Sequence, residues 1–233
     1  LMLLADQLEK DRETIFAANH EDLKEAEESG LSAPLLSRLR FGPEKLAQMQ
    51  EGLRALSSLA DPIGETVFCH EITEGLKLYR VTCPIGVIGI IFESRPDALI
   101  QISSLTIKSG NTALLKGGRE ALRTNQALIR SVRRALAEAD LPSDAAQLME
   151  TREDVTAMLK EDTLIDLIIP RGSNAFVRYI MDNSHIPVLG HADGICHVYV
   201  DVNANLDIAY KVALDSKVQN LSVCNAEETL LVH

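Results

Sequence analysis

Ile85-Gly-Val-Ile-Gly-Ile-Ile-Phe92, entered through Cys83-Pro84 and left through Glu93-Ser94-Arg95-Pro96-Asp97, is the stretch that decides the fold. It carries no charge and no polar/apolar alternation, so it cannot line a half-exposed sheet. It fits a strand buried on both faces, as parallel sheets require. The residues downstream keep the same grammar. A helical stretch runs over 97–108 and a second strand is Thr112-Ala-Leu-Leu115. Leu122, Ile129, Val132 and Leu136 mark one face of a long helix. A third strand is expected at 145–149, a helix at 154–160, a fourth strand at 164–169, a helix at 173–182 and a short fifth strand at 186–189. Strands alternating with helices at this spacing imply βαβ units and a parallel sheet. Ligands of such sheets bind at the carboxyl ends of the strands.

Upstream, residues 1–60 read as helical. Leu1, Leu4, Leu8 and Ile15 fall on one helix face, and Ser29-Gly30 and Phe41-Gly42-Pro43 interrupt the pattern. Over 65–82 the rhythm shifts to about period two around Thr73-Glu74-Gly75, which reads as a β-hairpin standing off the body. Towards the carboxyl end, a helix is expected at 205–217 and a strand at 228–233. The opening Leu-Met-Leu-Leu is already in helical phase, and the last strand stops in mid-run. Both suggest a piece of a longer protein, trimmed at each end.

The chain has 233 residues and a net charge of −11, from 23 basic and 34 acidic side chains. That balance argues against a general nucleic-acid binder, whose affinity rests on Lys and Arg. No apolar run is long enough to span a bilayer, and no signal peptide is visible. Four cysteines at 69, 83, 196 and 224 form no CxxC pair. Reduced thiols and a cytoplasmic location are the expectation. Three of the four are read as structural, and neither Cys69-His70-Cys83 nor His191-Cys196-His197 has the spacing of a metal site, so no metal is expected.

The glycine fingerprints of dinucleotide and P-loop sites, GxSxG and HExxH are all missing. Four local arrangements carry chemistry instead. Lys116-Gly117-Gly118-Arg119 lies between a strand and a helix, where backbone N–H groups and two cations favour a phosphate; a plain turn with solvated charges reads equally well. In Pro170-Arg171-Gly172-Ser173-Asn174, Ser173 or Asn174 is an N-cap, and Arg171 stands at a strand's carboxyl end where a cofactor or anion would lie. Arg95, before Pro96, either binds a carboxylate or phosphate or pairs with Glu93 or Asp97 on the surface. Cys224, in a polar stretch between helix and strand, is either a nucleophile or packing material.

Six ordered blocks carry a resemblance. They are Pro84-Ile-Gly-Val-Ile-Gly with Phe92-Glu-Ser-Arg-Pro-Asp97, Lys108-Ser-Gly-Asn111, Leu115-Lys-Gly-Gly118, Ile165-Asp-Leu-Ile-Ile-Pro-Arg-Gly-Ser173, 186–201 and 224–233. Together with Ala18-Asn-His-Glu-Asp22 they resemble the γ-glutamyl phosphate reductase (glutamate-5-semialdehyde dehydrogenase) family. They also resemble the reductase half of Δ1-pyrroline-5-carboxylate synthases, within the aldehyde dehydrogenase superfamily. The resemblance implies an α/β, aldehyde dehydrogenase-like fold: a Rossmann-like parallel sheet with flanking helices, a hairpin (63–82) for oligomerisation, and the truncated start of a catalytic domain. It places an NADPH-binding domain at 1–216 and the start of the catalytic domain at 217–233.

The implied reaction is NADPH-dependent reduction of L-glutamate 5-phosphate to the 5-semialdehyde and phosphate, the second step of proline biosynthesis from glutamate. Cys224 matches the nucleophile, which forms a thioester that is then reduced by hydride. Ser94, Arg95, Asn225 and Arg171 match oxyanion or substrate positions. Lys116, Gly117, Gly118, Arg119, Gly172 and Ser173 match cofactor contacts. Gly117, Gly118 and Arg119 put no carboxylate beside Lys116, which favours a cofactor with a 2′-phosphate. Gly190-His-Ala-Asp-Gly194 stands where hydrolytic relatives carry a water-activating Glu, which favours acyl-phosphate reduction. A homo-oligomer and coupling to glutamate 5-kinase are implied partners, with neither nucleic acid nor membrane. The alternatives are an inactive nucleotide-binding or oligomerising module, and a hydrolytic or CoA-acylating aldehyde dehydrogenase.

Overall fold

The computed structural model describes all residues except 94, 191–193 and 220–224 and the side chain of residue 152. The chain divides into two compact units, Leu1–Gly190 and His191–His233. The first opens with helices α1 (Met2–Lys10), α2 (Arg12–Glu28), α3 (Ala33–Leu39) and α4 (Pro43–Ser58). A hairpin of β1 (Thr66–Thr73) and β2 (Leu76–Val81) comes next. Then come β3 (Val87–Ile91), α5 (Pro96–Lys108), β4 (Thr112–Lys116), α6 (Leu122–Glu138), β5 (Ala146–Leu148), α7 (Arg152–Met158), β6 (Leu167–Pro170) and α8 (Asn174–Asp182). The second unit pairs β7 (Cys196–Val200) in parallel with β8 (Glu227–Val232) across helix α9 (Leu206–Val218). The boundary between the compact units falls at 190/191, and β7 and β8 form a two-stranded sheet of their own.

The sheet of the first unit runs β5-β4-β3-β6, and every pair is parallel. β3 is buried on both faces, as its composition demands. Ile88, Ile90 and Phe92 enter a core built with α1, α4, α5 and α6. Ile91 enters a second core, with Met158, Leu159, Ile168 and Ile180. At Gly89 a side chain would meet the Met158 sulfur, so glycine is what lets α7 approach the strand. The expected fourth strand begins at Leu167, not 164. The amides of Leu164 and Ile165 close a turn on the Glu161 carbonyl, and the Asp166 carboxylate instead accepts from the Val87 amide at 2.8 Å. The expected fifth strand reduces to one bridge, Ile168 to Val188, since Pro187 has no N–H to extend a ladder.

The amino-terminal helices are fastened to α6 by buried carboxylates. The first helix breaks at Asp11, whose carboxylate accepts from Gln7 (2.9 Å), Ser131 (2.7 Å) and Arg134 (2.8 Å). Asp22, 2% exposed, accepts from the Thr124 amide (2.8 Å) and hydroxyl (2.7 Å) and from Arg123 (3.3 Å). It therefore caps the start of α6 from another helix. Asn19 completes the joint, donating to the Leu39 carbonyl and accepting from the Phe41 amide.

In the hairpin, turned at Gly75 with φ +80°, every strand residue is exposed, including Val67, Phe68, Ile72, Leu76, Leu78 and Tyr79. Among the described residues no helix is long and apolar enough to cross a membrane.

Both carboxylate joints are open to measurement. Asp22→Ala strands two buried donors of α6 and should cost about 2–4 kcal/mol in urea unfolding of this chain; a loss under about 0.5 kcal/mol contradicts the capping role. At Asp11, partial burial pushes the pKa up, but hydrogen bonds from Gln7 and Ser131 and the charges of Arg134 and Arg130 outweigh it, so the pKa lies below the ordinary value. A depressed carboxylate stabilises fully above its unfolded pKa, near ~3.9, and loses that contribution as pH falls through the folded value. Asp11→Asn should lower stability at neutral pH and flatten the acid limb below about pH 4 in the unfolding curve.

Candidate active site

Three of the segments singled out in the sequence leave the sheet at one edge. Ile91 is in register with Lys116 on one side and with Pro170 on the other. The Phe92 amide donates to the Lys116 carbonyl at 2.9 Å, and the Arg171 amide donates to the Ile91 carbonyl at 2.7 Å. Glu93 and Arg95, residues 116–119 and residues 171–173 therefore emerge side by side at the carboxyl ends of β3, β4 and β6. The chain steps from β3 to β4 in one direction and later to β6 in the other. The reversal falls between β3 and β6, the position where doubly wound sheets open a crevice for a dinucleotide.

At β4, the half-buried Lys116 ammonium donates to the Gly117 carbonyl at 2.6 Å. Gly117 is buried, and a side chain there would run into the amide nitrogen of Asn125, itself 1% exposed in the first turns of α6. At Gly118 a side chain would strike the Glu120 carboxylate. Arg119 is exposed and opens the short 3-10 turn before α6, beside a surface hollow it shares with Asp22, Glu25, Glu120 and Arg123. At β6, Arg171 is exposed, Gly172 lies against the Glu93 carboxylate and the Phe176 ring, and the Ser173 hydroxyl accepts from the Phe176 amide at 3.3 Å as the N-cap of α8. At β3, the Arg95 guanidinium pairs with Asp97 at 2.8 Å. Asn225 is exposed just ahead of β8 in the second unit. Ser94 and Cys224 lie outside the described residues.

Four side chains near these segments escaped the sequence reading. Asn125 wedges against Gly117, and its position on the buried face of α6 was the available signal. The Glu120 carboxylate lies beside Gly118, and Asp154 stands near enough to Lys116 to feel its charge. The Asp154 carboxylate accepts from the Thr151 (2.8 Å) and Glu150 (3.0 Å) amides, and its own amide donates to the Thr151 hydroxyl. Those hydrogen bonds, led by the Thr151 amide and joined by the charge of Lys116, hold the Asp154 pKa below the ordinary value. Thr151-x-x-Asp154 is a capping box, readable from sequence alone. The fourth is Lys45, which faces Asp97 from α4 at 3.5 Å.

The cysteines divide differently from the expectation. Cys69 and Cys83, read as structural, are exposed because the hairpin and its exit do not pack on the core; Cys196 on β7 is half-buried. Among the described residues no three His, Cys, Asp or Glu side chains converge as a metal would need.

Residues 11–233 match the aldehyde dehydrogenase family. The chain belongs to that family. Over all 233 residues it is 58% identical to a γ-glutamyl phosphate reductase of Pelotomaculum thermopropionicum, covering 54% of that protein. The crystal structure of a γ-glutamyl phosphate reductase from Thermotoga maritima superposes with a TM-score of 0.92 at 37% identity, over 100% of this chain and 56% of that one. The corresponding structure from Saccharomyces cerevisiae gives 0.77 at 43% identity, over 99% and 58%. The chain spans about half the length of the curated relatives it matches. The aldehyde dehydrogenase-like α/β fold with its parallel sheet agrees with the expectation from sequence.

The packing at β4 is directly testable. Gly117→Ala should destabilise the chain by about 1–3 kcal/mol, because buried Asn125 has no open space to retreat into. Gly117→Ala with Asn125→Ala should recover part of that loss in urea unfolding; strict additivity contradicts the contact.

Proposed function

We propose that this chain is the cofactor-binding part, and the start of the catalytic part, of an enzyme that reduces L-glutamate 5-phosphate to glutamate 5-semialdehyde with NADPH, releasing phosphate. The observation that carries this reading is the match along the whole chain, at 58% identity, to a γ-glutamyl phosphate reductase. The family is one of nicotinamide-dependent oxidoreductases, and the sheet order with its reversal beside β3 suits a dinucleotide. Lys116 and Arg119 are the cations proposed for the 2′-phosphate of NADPH, and Gly117, Gly118, Gly172 and Ser173 the close backbone approaches. Glu120 opposes that preference and Asp154 is engaged in its capping box, so Lys116 is the residue on which NADPH over NADH turns.

Cys224 is the proposed nucleophile. Its thiolate forms a C–S bond to the acyl carbon, and the C–O bond to phosphate breaks with its electron pair leaving on phosphate. NADPH, when bound, supplies the hydride that reduces the acyl group. Collapse of the resulting thiohemiacetal returns the thiolate and releases the aldehyde. Ser94, Arg95, Arg171 and Asn225 are the proposed oxyanion and substrate contacts, together with the Cys224 amide. The absence of Glu from Gly190-His-Ala-Asp-Gly194 keeps water from intercepting the acyl-enzyme.

The hairpin's exposed apolar side chains support its proposed use in a homo-oligomer. The substrate, an acyl phosphate, must come from a kinase acting on glutamate, and a cytoplasmic location belongs to the same reading. A second reading is favoured by one fact: the chain is about half the length of its relatives. On that reading the isolated chain binds nucleotide without turning over.

The reverse reaction tests the proposal. With the full-length enzyme, NADP+ reduction by the semialdehyde should require inorganic phosphate, and Cys224→Ser should lower turnover by about a thousandfold while NADPH still binds. Residues 1–233 alone should bind NADPH and show no turnover. Phosphate-independent oxidation, or full activity in Cys224→Ser, overturns the assignment.

A further inference from the structure

We propose that Asp97 is a positioning residue that holds Arg95 in place to receive the phosphoryl group of the substrate. The inference rests on the reductase reading above. Arg95 comes after β3 at the edge where the three site segments emerge, and its guanidinium lies 2.8 Å from the Asp97 carboxylate. The two partners differ sharply in exposure: the Asp97 side chain is 4% accessible and that of Arg95 57%. A surface pair with both ends wet would hold neither group, since exposed ion pairs contribute little and leave long side chains free. Here one end is rooted in the core and the other reaches outward.

The second oxygen of Asp97 faces Lys45 at 3.5 Å and makes no hydrogen bond among the described residues. Lys45 is itself tied down, donating to the Arg38 carbonyl at 3.0 Å. One buried carboxylate is thus shared by two cations, and the trio Lys45, Asp97 and Arg95 carries one unit of positive charge, with the Glu93 carboxylate turned to Gly172. Burying a lone carboxylate is costly, and an apolar residue would fill the same place in α5. What a carboxylate adds is direction for the guanidinium. A doubly charged phosphoryl group is drawn to that positive cluster about twice as strongly as a singly charged carboxylate at the same distance, and a guanidinium fork matches its oxygens. Asp97 acts only through Arg95; it does not touch the reacting atoms.

The reverse reaction separates the partners, because phosphate, semialdehyde and NADP+ enter as three substrates with three KM values. In the full-length enzyme Asp97→Asn should raise KM for inorganic phosphate about tenfold, with kcat and the other two KM values within about twofold. Arg95→Gln should raise KM for phosphate at least as much; its side chain is largely exposed and a Gln amide can still donate to Asp97, so it tests the assignment even if the Asp97 variants do not fold. The double variant should be no worse than Arg95→Gln alone, since Asp97 has no other route to the ligand. Asp97→Glu should restore part of the phosphate affinity. An unchanged KM for phosphate in Asp97→Asn, strictly additive effects in the double variant, or a rise confined to the semialdehyde KM overturns the proposal. If the unaltered enzyme shows no phosphate-dependent activity, the reductase reading itself has failed, and the two failures are distinct.

Discussion

The strand β3 is the constraint on which the first unit depends. It has cores on both faces and hydrogen-bonded neighbours on both edges, so nothing in it faces water. A strand in that position must be apolar throughout, must have glycine where a helix comes close, and must be flanked in register. Gly89 beneath Met158 meets the second demand. The pairing of Ile91 with both Lys116 and Pro170 meets the third. Because three strands end together, register alone delivers the loops after them to one edge. The candidate site is a by-product of register.

Much of this was legible in the sequence, and for definite reasons. The run from Ile85 to Phe92 excludes a half-exposed strand by composition, and the alternation after it excludes an antiparallel sheet. Gly75 and the period-two pattern around it mark the hairpin. What was not legible depended on groups distant in sequence. The Asp154 carboxylate is brought within reach of the Lys116 charge by the β5 and α7 crossover, so local sequence around Lys116 cannot reveal it. The start of β6 is hidden because Leu164 and Ile165 look like strand residues, while their amides are claimed by the Glu161 carbonyl. The exposure of Cys69 and Cys83 reflects the hairpin's lack of packing against the core, which no single-residue preference for burial anticipates. Cys224, the proposed nucleophile, is carried by the resemblance of its surrounding block.

The blocks that carry the resemblance also divide by role once placed on the fold. Lys108-Ser-Gly-Asn111 lies at the opposite end of the sheet from the candidate site. There the Asn111 side-chain oxygen accepts from the Gly86 amide at 2.8 Å, and Gly110 takes φ +68°. That block fixes where β3 and β4 begin. Phe92, Glu93 and Arg95–Asp97, with Lys116–Arg119 and Arg171–Ser173, lie where the strands end. One set sets the register and the other uses it, which explains why segments with no common chemistry occur together.

The charge of −11 takes on a different meaning in this setting. An acidic chain proposed to bind anions looks contradictory if charge is spread evenly. It is not spread evenly. Asp11, Asp22 and Asp97 are withdrawn from the surface and spend their oxygens on specific donors: Gln7, Ser131 and Arg134 for the first, Thr124 and Arg123 for the second, Arg95 for the third. A carboxylate held this way acts as a strut between elements and contributes little repulsion to an approaching anion, because its own cations stand with it. At Asp97 the cations outnumber the carboxylate, and one of them reaches into solvent. The sign of the field at the edge of the sheet is therefore set by the ratio of cations to buried carboxylates there and not by the total for the chain, and that local ratio is what an anionic ligand meets.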